Sequence, residues 1–155
     1  MPDPVPDWIL QLQCLEVLSI ELNREWQVQM LADHLPELKE ISLYFIILEF
    51  IEYTNVFAQF LKFKNLRVLR ICWSNYSNFK KINFRRFCSI PHVTFFELMW
   101  QCSSPGNDIT SFLTSMPQIF PNLQHLDICG QKFRHETLLY KLSQLTKLRK
   151  LGLST

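Results

Sequence analysis

The chain has 155 residues, 48% of them apolar, which is the length of one domain and enough to build a sizeable core. Charge nearly cancels at +2, so nothing in the balance calls for nucleic acid, an anionic membrane or an acidic partner. The 13 Phe, 4 Trp and 4 Tyr, with charged residues at only 19%, exclude a disordered chain, and 3 Gly with 8 Pro exclude collagen-like and linker sequences.

The opening Met1-Pro2-Asp3-Pro4-Val5-Pro6-Asp7 has no basic residue and no apolar run, so it does not read as a signal peptide. A short apolar pattern with spacings of three, three and two residues then begins. Its first copy is Leu12-Leu15-Leu18-Ile20, followed by the intervening segment 24–34. The second is Leu35-Leu38-Ile41-Leu43, followed by 47–61, where Leu48, Ile51, Phe57, Phe60 and Leu61 fall at helical spacing. The third is Phe63-Leu66-Leu69-Ile71, and 76–89 after it places Phe79, Ile82 and Phe87 on one helical stripe. The fourth, Ile90-Val93-Phe96-Leu98, leads into 108–119. The fifth, Phe120-Leu123-Leu126-Ile128, leads into 132–144 with Phe133, Leu138 and Leu142, and the sixth is Leu145-Leu148-Leu151-Leu153.

All 24 positions, six copies of four, are apolar. At the background frequency chance would give this roughly twice in 10⁸, before allowing for the choice of registers. Pro36, Pro91 and Pro121 follow the first residue of three copies, where proline ends a helix and extends the chain. The last residues of each copy alternate in, out, in, which is the period of a strand. The greasiest stretch, 43–53, is interrupted by Glu49 and Glu52, so no transmembrane span is expected.

The pattern resembles the leucine-rich repeat, L-x-x-L-x-L, over essentially the full chain. Copies start near residues 12, 35, 63, 90, 120 and 145, and steps of 23 to 30 residues favour the helix-backed kind, as in ribonuclease-inhibitor-like repeats. The resemblance implies an α/β fold: a single domain forming a right-handed solenoid, with a parallel concave sheet of about six strands and helices on the convex side. The family's usual Asn or Cys three residues beyond the strand occurs once, as Asn23, whereas Ile46, Ser74, Gln101 and Gln131 depart from it. Turn amides are therefore expected to close on Ser, Gln or water instead. Both ends look uncapped, so the chain reads as a piece of a longer horseshoe or as one whose ends are covered by self-association.

Alternation assigns the outward concave positions. One row reads Ser19, Ser42, Arg70, Glu97, Asp127 and Gly152, and the next Glu21, Tyr44, Cys72, Met99, Cys129 and Ser154. Just beyond come Phe45, Trp73 and Trp100 in successive copies. These rings either form one exposed aromatic stripe on strands about 4.8 Å apart, or tuck into the turn where the asparagine is missing. Read as a binding surface, the face offers Tyr44, Phe45, Arg70, Trp73, Glu97, Met99, Trp100 and Asp127 to a protein partner.

Catalytic signals are poor. His34, His92, His125 and His135 fall in different copies. Only His125 shares the outward face with Asp127 and Cys129, at backbone separations of about 7 Å, too wide for an easy nucleophile–base pair. No phosphate loop, dinucleotide-binding, zinc-protease or nucleophile-elbow motif occurs, and no enzyme activity, cofactor, metal or small-molecule substrate is expected. Lys80-Lys81 and Arg85-Arg86 read as a solvated helix face rather than a nucleic-acid site. Five cysteines, Cys14, Cys72, Cys88, Cys102 and Cys129, odd in number and never C-x-x-C, suit reduced thiols of the cytosol or nucleus. The sequon Asn75-Tyr76-Ser77 reads as accidental.

Two stretches are similar to plant NLR immune receptors: Pro6-Asp7-Trp8-Ile9 with Leu12, Leu15 and Leu18, and Leu145-Thr146-Lys147-Leu148-Arg149-Lys150-Leu151. That resemblance implies the ligand-sensing repeats of a cytoplasmic receptor in innate immunity, binding a protein ligand or other domains of the same receptor. The alternative is the substrate-recognition repeats of an F-box-type ubiquitin ligase, which Phe120-Pro121-Asn122-Leu123-Gln124-His125-Leu126-Asp127-Ile128 also resembles.

Overall fold

Alternating residues are what carry this chain into a sheet. A computed structural model describes residues 5–45, 53–74, 86–101, 110–130 and 140–154. In chain order it contains α1 (Asp7–Leu10), β1 (Val17–Leu22), α2 (Glu25–His34), β2 (Glu40–Phe45), α3 (Tyr53–Gln59), a 3₁₀ turn (Phe60–Lys62), β3 (Val68–Ser74), β4 (Phe95–Gln101), α4 (Thr110–Ile119), β5 (His125–Cys129) and β6 (Lys150–Ser154). Several expected features lie outside the described residues: Ile46, Leu48, Ile51, the sequon at 75–77, Phe79 to Arg85, Cys102, Gln131, Phe133, His135 and Leu138.

The fold is α/β. All six strands pair in parallel, and their order across the sheet is their order along the chain. The register aligns equivalent motif residues. Leu18, Ile41, Leu69, Phe96, Leu126 and Leu151 form one row, and Ile20, Leu43, Ile71, Leu98, Ile128 and Leu153 form another. Parallel neighbours need a crossover between them. Here α2 supplies Val28 and Leu31, α3 with its 3₁₀ turn supplies Phe57 and Phe60, and α4 supplies Leu113 and Met116 to the core that the inward strand residues share.

Phenylalanines fill much of that core. Phe96 stacks on Phe120 with centroids 4.8 Å apart, and Phe57 touches Phe60, Phe87 and Phe112 at 5.6, 4.5 and 6.1 Å. The first two residues of the four inner copies, Leu35 and Leu38 through Phe120 and Leu123, are fully buried. The outer copies are buried only in part: Leu18 and Leu145 are 8% and 4% exposed, while Leu12, Leu151 and Leu153 remain 44%, 41% and 37% exposed. An inward residue on an edge strand has a neighbour on one side only. Leu61, expected on the apolar stripe, is also exposed. The helix tightens to 3₁₀ geometry at Phe60, and this shifts the stripe off that residue.

Main-chain groups stitch the copies together. The carbonyl just before a strand accepts two N–H groups from the next copy. Glu16 receives Lys39 and Glu40 at 2.7 and 3.0 Å, and Lys39 receives Arg67 and Val68 at 2.8 and 3.1 Å. Arg67 receives Thr94 and Phe95, Thr94 receives Gln124 and His125, and Gln124 receives Arg149 and Lys150, all within 3.0 Å. The one copy that keeps the asparagine, at Asn23, is closed by a glutamine as well, while the copies that lack it have their turns outside the described residues. Gln27 Oε1 accepts the backbone N–H of Asn23 and of Arg24, each at 2.9 Å, and so caps α2.

Candidate functional site

The helices and core cover one face of the sheet, and the other face carries the polar half of each strand. At its centre is Arg70, in the middle of β3. Its Nη1 donates to Glu40 Oε2 on β2 at 3.0 Å and its Nε to Glu97 Oε2 on β4 at 3.1 Å. Its guanidinium also lies 5.1 Å from the centre of the Phe95 ring. One cation thus ties three strands, and two carboxylates more than offset its charge. Glu97 stands directly beside Arg70 in the register, whereas Glu40 reaches it along the diagonal.

A shallow dimple of about 50 Å³ opens beside Arg70, with Ser42, Tyr44, Cys72, Glu97 and Met99 around it. Tyr44 is 43% exposed, while Cys72 forms a buried floor. Burial, and then the charge of Glu97, push the Cys72 thiol above its ordinary range, so at neutral pH it is a protonated apolar surface and not a nucleophile.

Toward β6 the face is smaller and more polar. The Cys129 thiol donates to Asp127 Oδ1 at 3.9 Å and accepts from Ser154 Oγ at 2.9 Å. His125 sets its ring edge against Phe95, with centroids 5.8 Å apart. Asp127 leans over Gly152, where a side-chain Cβ would stand 2.6 Å from Oδ1. Counting the strand residues of this face, Glu21, Glu40, Glu97 and Asp127 outnumber Arg70 and Lys150, so the surface is mildly acidic. Among the described residues no group of three or more His, Cys, Asp or Glu converges as a metal site.

Of the residues expected to bind a partner, the structure brings Tyr44, Arg70, Glu97 and Met99 around one dimple and sets Asp127 one strand beyond. Phe45 is a correction. The register does align it with Trp73 and Trp100, but it is 1% exposed and belongs to the core. β2 runs on through Phe45, so the period of two that turns Tyr44 outward turns the next ring inward. The side chains of Trp73 and Trp100 lie outside the described residues. Glu40 and Phe95, which hold Arg70, were not singled out from the sequence. Extending the alternation two residues toward the start of each strand finds both.

The four described cysteines, Cys14, Cys72, Cys88 and Cys129, are unpaired thiols. No described helix is long and apolar enough to cross a membrane. A scan of protein-family models finds none that matches the chain, and a search of curated proteins finds no significant match.

Proposed function

We propose that the chain is a leucine-rich-repeat solenoid, a right-handed horseshoe, whose open sheet face recognises a protein partner without catalysing a reaction. The observation that carries this reading is the contrast between the two faces of the sheet. The inward face is closed by α2, α3 and α4, whereas among the described residues nothing covers the outward face around Arg70, where Tyr44 and Met99 stand beside a fixed lattice of charge. Such a mixture of aromatic, thioether and pre-positioned charged groups on a rigid sheet is what a protein interface uses. The acidic excess favours a partner that presents Lys or Arg beside an apolar side chain. The four free thiols fit a reducing compartment such as the cytoplasm. The similarity of its first and last copies to NLR receptors makes the sensing repeats of such a receptor the favoured parent.

The test is capture of a partner by the full chain, followed by the same capture with Tyr44→Ala and Met99→Lys, each checked for unchanged circular dichroism. Loss of binding in both variants supports the reading. Binding that survives both but is lost on Trp26→Ala, on α2, moves recognition to the helical side and overturns it.

A further inference from the structure

The outward face sets an apolar row beside a carboxylate that no cation answers, and we infer that the element it takes is a basic amphipathic helix lying across the strands. This rests on the outward face being the recognition surface, and adds the shape and charge of what docks there.

The apolar row comes first. The register brings Tyr44 on β2, Cys72 on β3, Met99 on β4 and Cys129 on β5 side by side. Tyr44 is exposed, Met99 and Cys129 are half-buried, and Cys72 is the buried floor of the dimple between its neighbours. Along each of these strands, by contrast, polar and apolar residues mix, as in Glu97 and Met99. An apolar contact line therefore runs across the strands and not along them.

Geometry selects the occupant. Adjacent strands lie about 4.8 Å apart, so a row of four spans about 14 Å. Three turns of a helix rise about 16 Å, which keeps a side chain over each strand. Three two-residue repeats of an extended chain cover about 20 Å and fall out of step. An extended segment crossing this row would also lay its main-chain N–H and C=O groups on apolar side chains, whereas a helix pairs them internally.

Charge sets the flank of that helix. Beside the row, Glu97 and Asp127 are register partners on β4 and β5. Glu97 is answered by Arg70, which it shares with Glu40. Asp127 has no cation partner among the described residues. Its Oδ1 accepts the Cys129 thiol at 3.9 Å, and His125 on the same strand sets its ring against Phe95. Like charges directly opposed disfavour a sheet. A Lys or Arg of the helix over Asp127, with the apolar stripe of the helix on Met99, offsets that repulsion and leaves the ties of Arg70 in place.

The experiment is fluorescence anisotropy of three labelled peptides of about 16 residues, long enough for four helical turns, titrated with the full chain. Two have the same Leu, Lys and Ala content and differ in whether the leucines recur at helical spacing or at every second residue. The third keeps the helical pattern with Glu in place of each Lys. The basic helical peptide is expected to bind about tenfold more tightly than the other two, and to weaken about fivefold on Asp127→Asn and in high salt. An alternating or acidic peptide that binds as tightly overturns the inference. If Met99→Lys still abolishes that binding, the outward face stands as the recognition surface and only the helix falls. Failure of the basic helical peptide to bind, or binding that ignores Asp127→Asn, also overturns it. Binding unmoved by Met99→Lys but lost on Trp26→Ala overturns the reading of the face as well. Far-UV circular dichroism verifies that each variant is folded.

Discussion

Arg70 and Glu97 face each other across β3 and β4, with Nε 3.1 Å from Oε2, and the same guanidinium also reaches back to Glu40 on β2. The arrangement sets the shape of the outward face, because it fixes three strands' side chains around one charge. The ion pairs are partly exposed, with Arg70 at 37%, so they contribute more to arrangement than to stability.

Arg70→Ala is therefore expected to cost about 1 kcal/mol in urea denaturation, chiefly because Glu40 and Glu97 are left without their cation. Its effect on partner binding is expected to be larger. Arg70→Lys keeps the charge but not the fork, so it is expected to retain stability and recover binding only in part.

Tyr44 and Phe45 are sequence neighbours with opposite fates. Phe45→Ala removes a fully buried ring and is expected to cost about 3–5 kcal/mol. Tyr44→Ala is expected to stay within about 0.5 kcal/mol, since the ring is 43% exposed. Denaturation midpoints of the two variants check this directly, and equal costs would mean that β2 does not alternate through its last residue.

His92 supplies a pH dependence. Burial pushes its imidazole below the usual 6.5, with the Nε2–H donating to the Phe60 carbonyl at 3.1 Å and Arg67 nearby. The folded state thus holds this histidine neutral, while the unfolded chain takes up a proton below 6.5. Stability is fully present above that pH and declines as pH falls from 6.5 toward the lower folded value. Urea midpoints measured across this window are expected to drop for the wild type. For His92→Gln, with its contribution removed, they are expected to drop less.

The thiols are expected to separate in an alkylation time course at neutral pH. Cys14 is exposed and labels first. Cys72 and Cys88 are both raised in pKa chiefly by burial and label slowly until denaturant is added. Fast labelling of Cys72 in the folded chain would mean that the dimple floor is open.

Much of the sheet was legible in the residues, because one spacing recurs and strand alternation is strict. Leu18, Ile41, Leu69, Phe96, Leu126 and Leu151 meet as the repeat predicts. The ends of the strands were harder to read. β2 extends past the motif to Phe45, and apolar spacing alone does not say where a strand stops. The same blindness at the other end concealed Glu40 and Phe95, since a carboxylate and a ring at the start of a strand gain their meaning only when Arg70 is brought to them from another copy. Leu61 was misread because helical spacing presumes a helix of constant pitch.

The paired carbonyls at Glu16, Lys39, Arg67, Thr94 and Gln124 have a consequence for how this sequence is free to drift. What joins one rung to the next at these points is amide chemistry, and the side chains there already include acid, base, hydroxyl and carboxamide. The seam itself therefore makes no demand on the side chains at these five places, with one prohibition: an imino acid at Lys39, Glu40, Arg67, Val68 or their counterparts would remove a donor and open the join between neighbouring rungs.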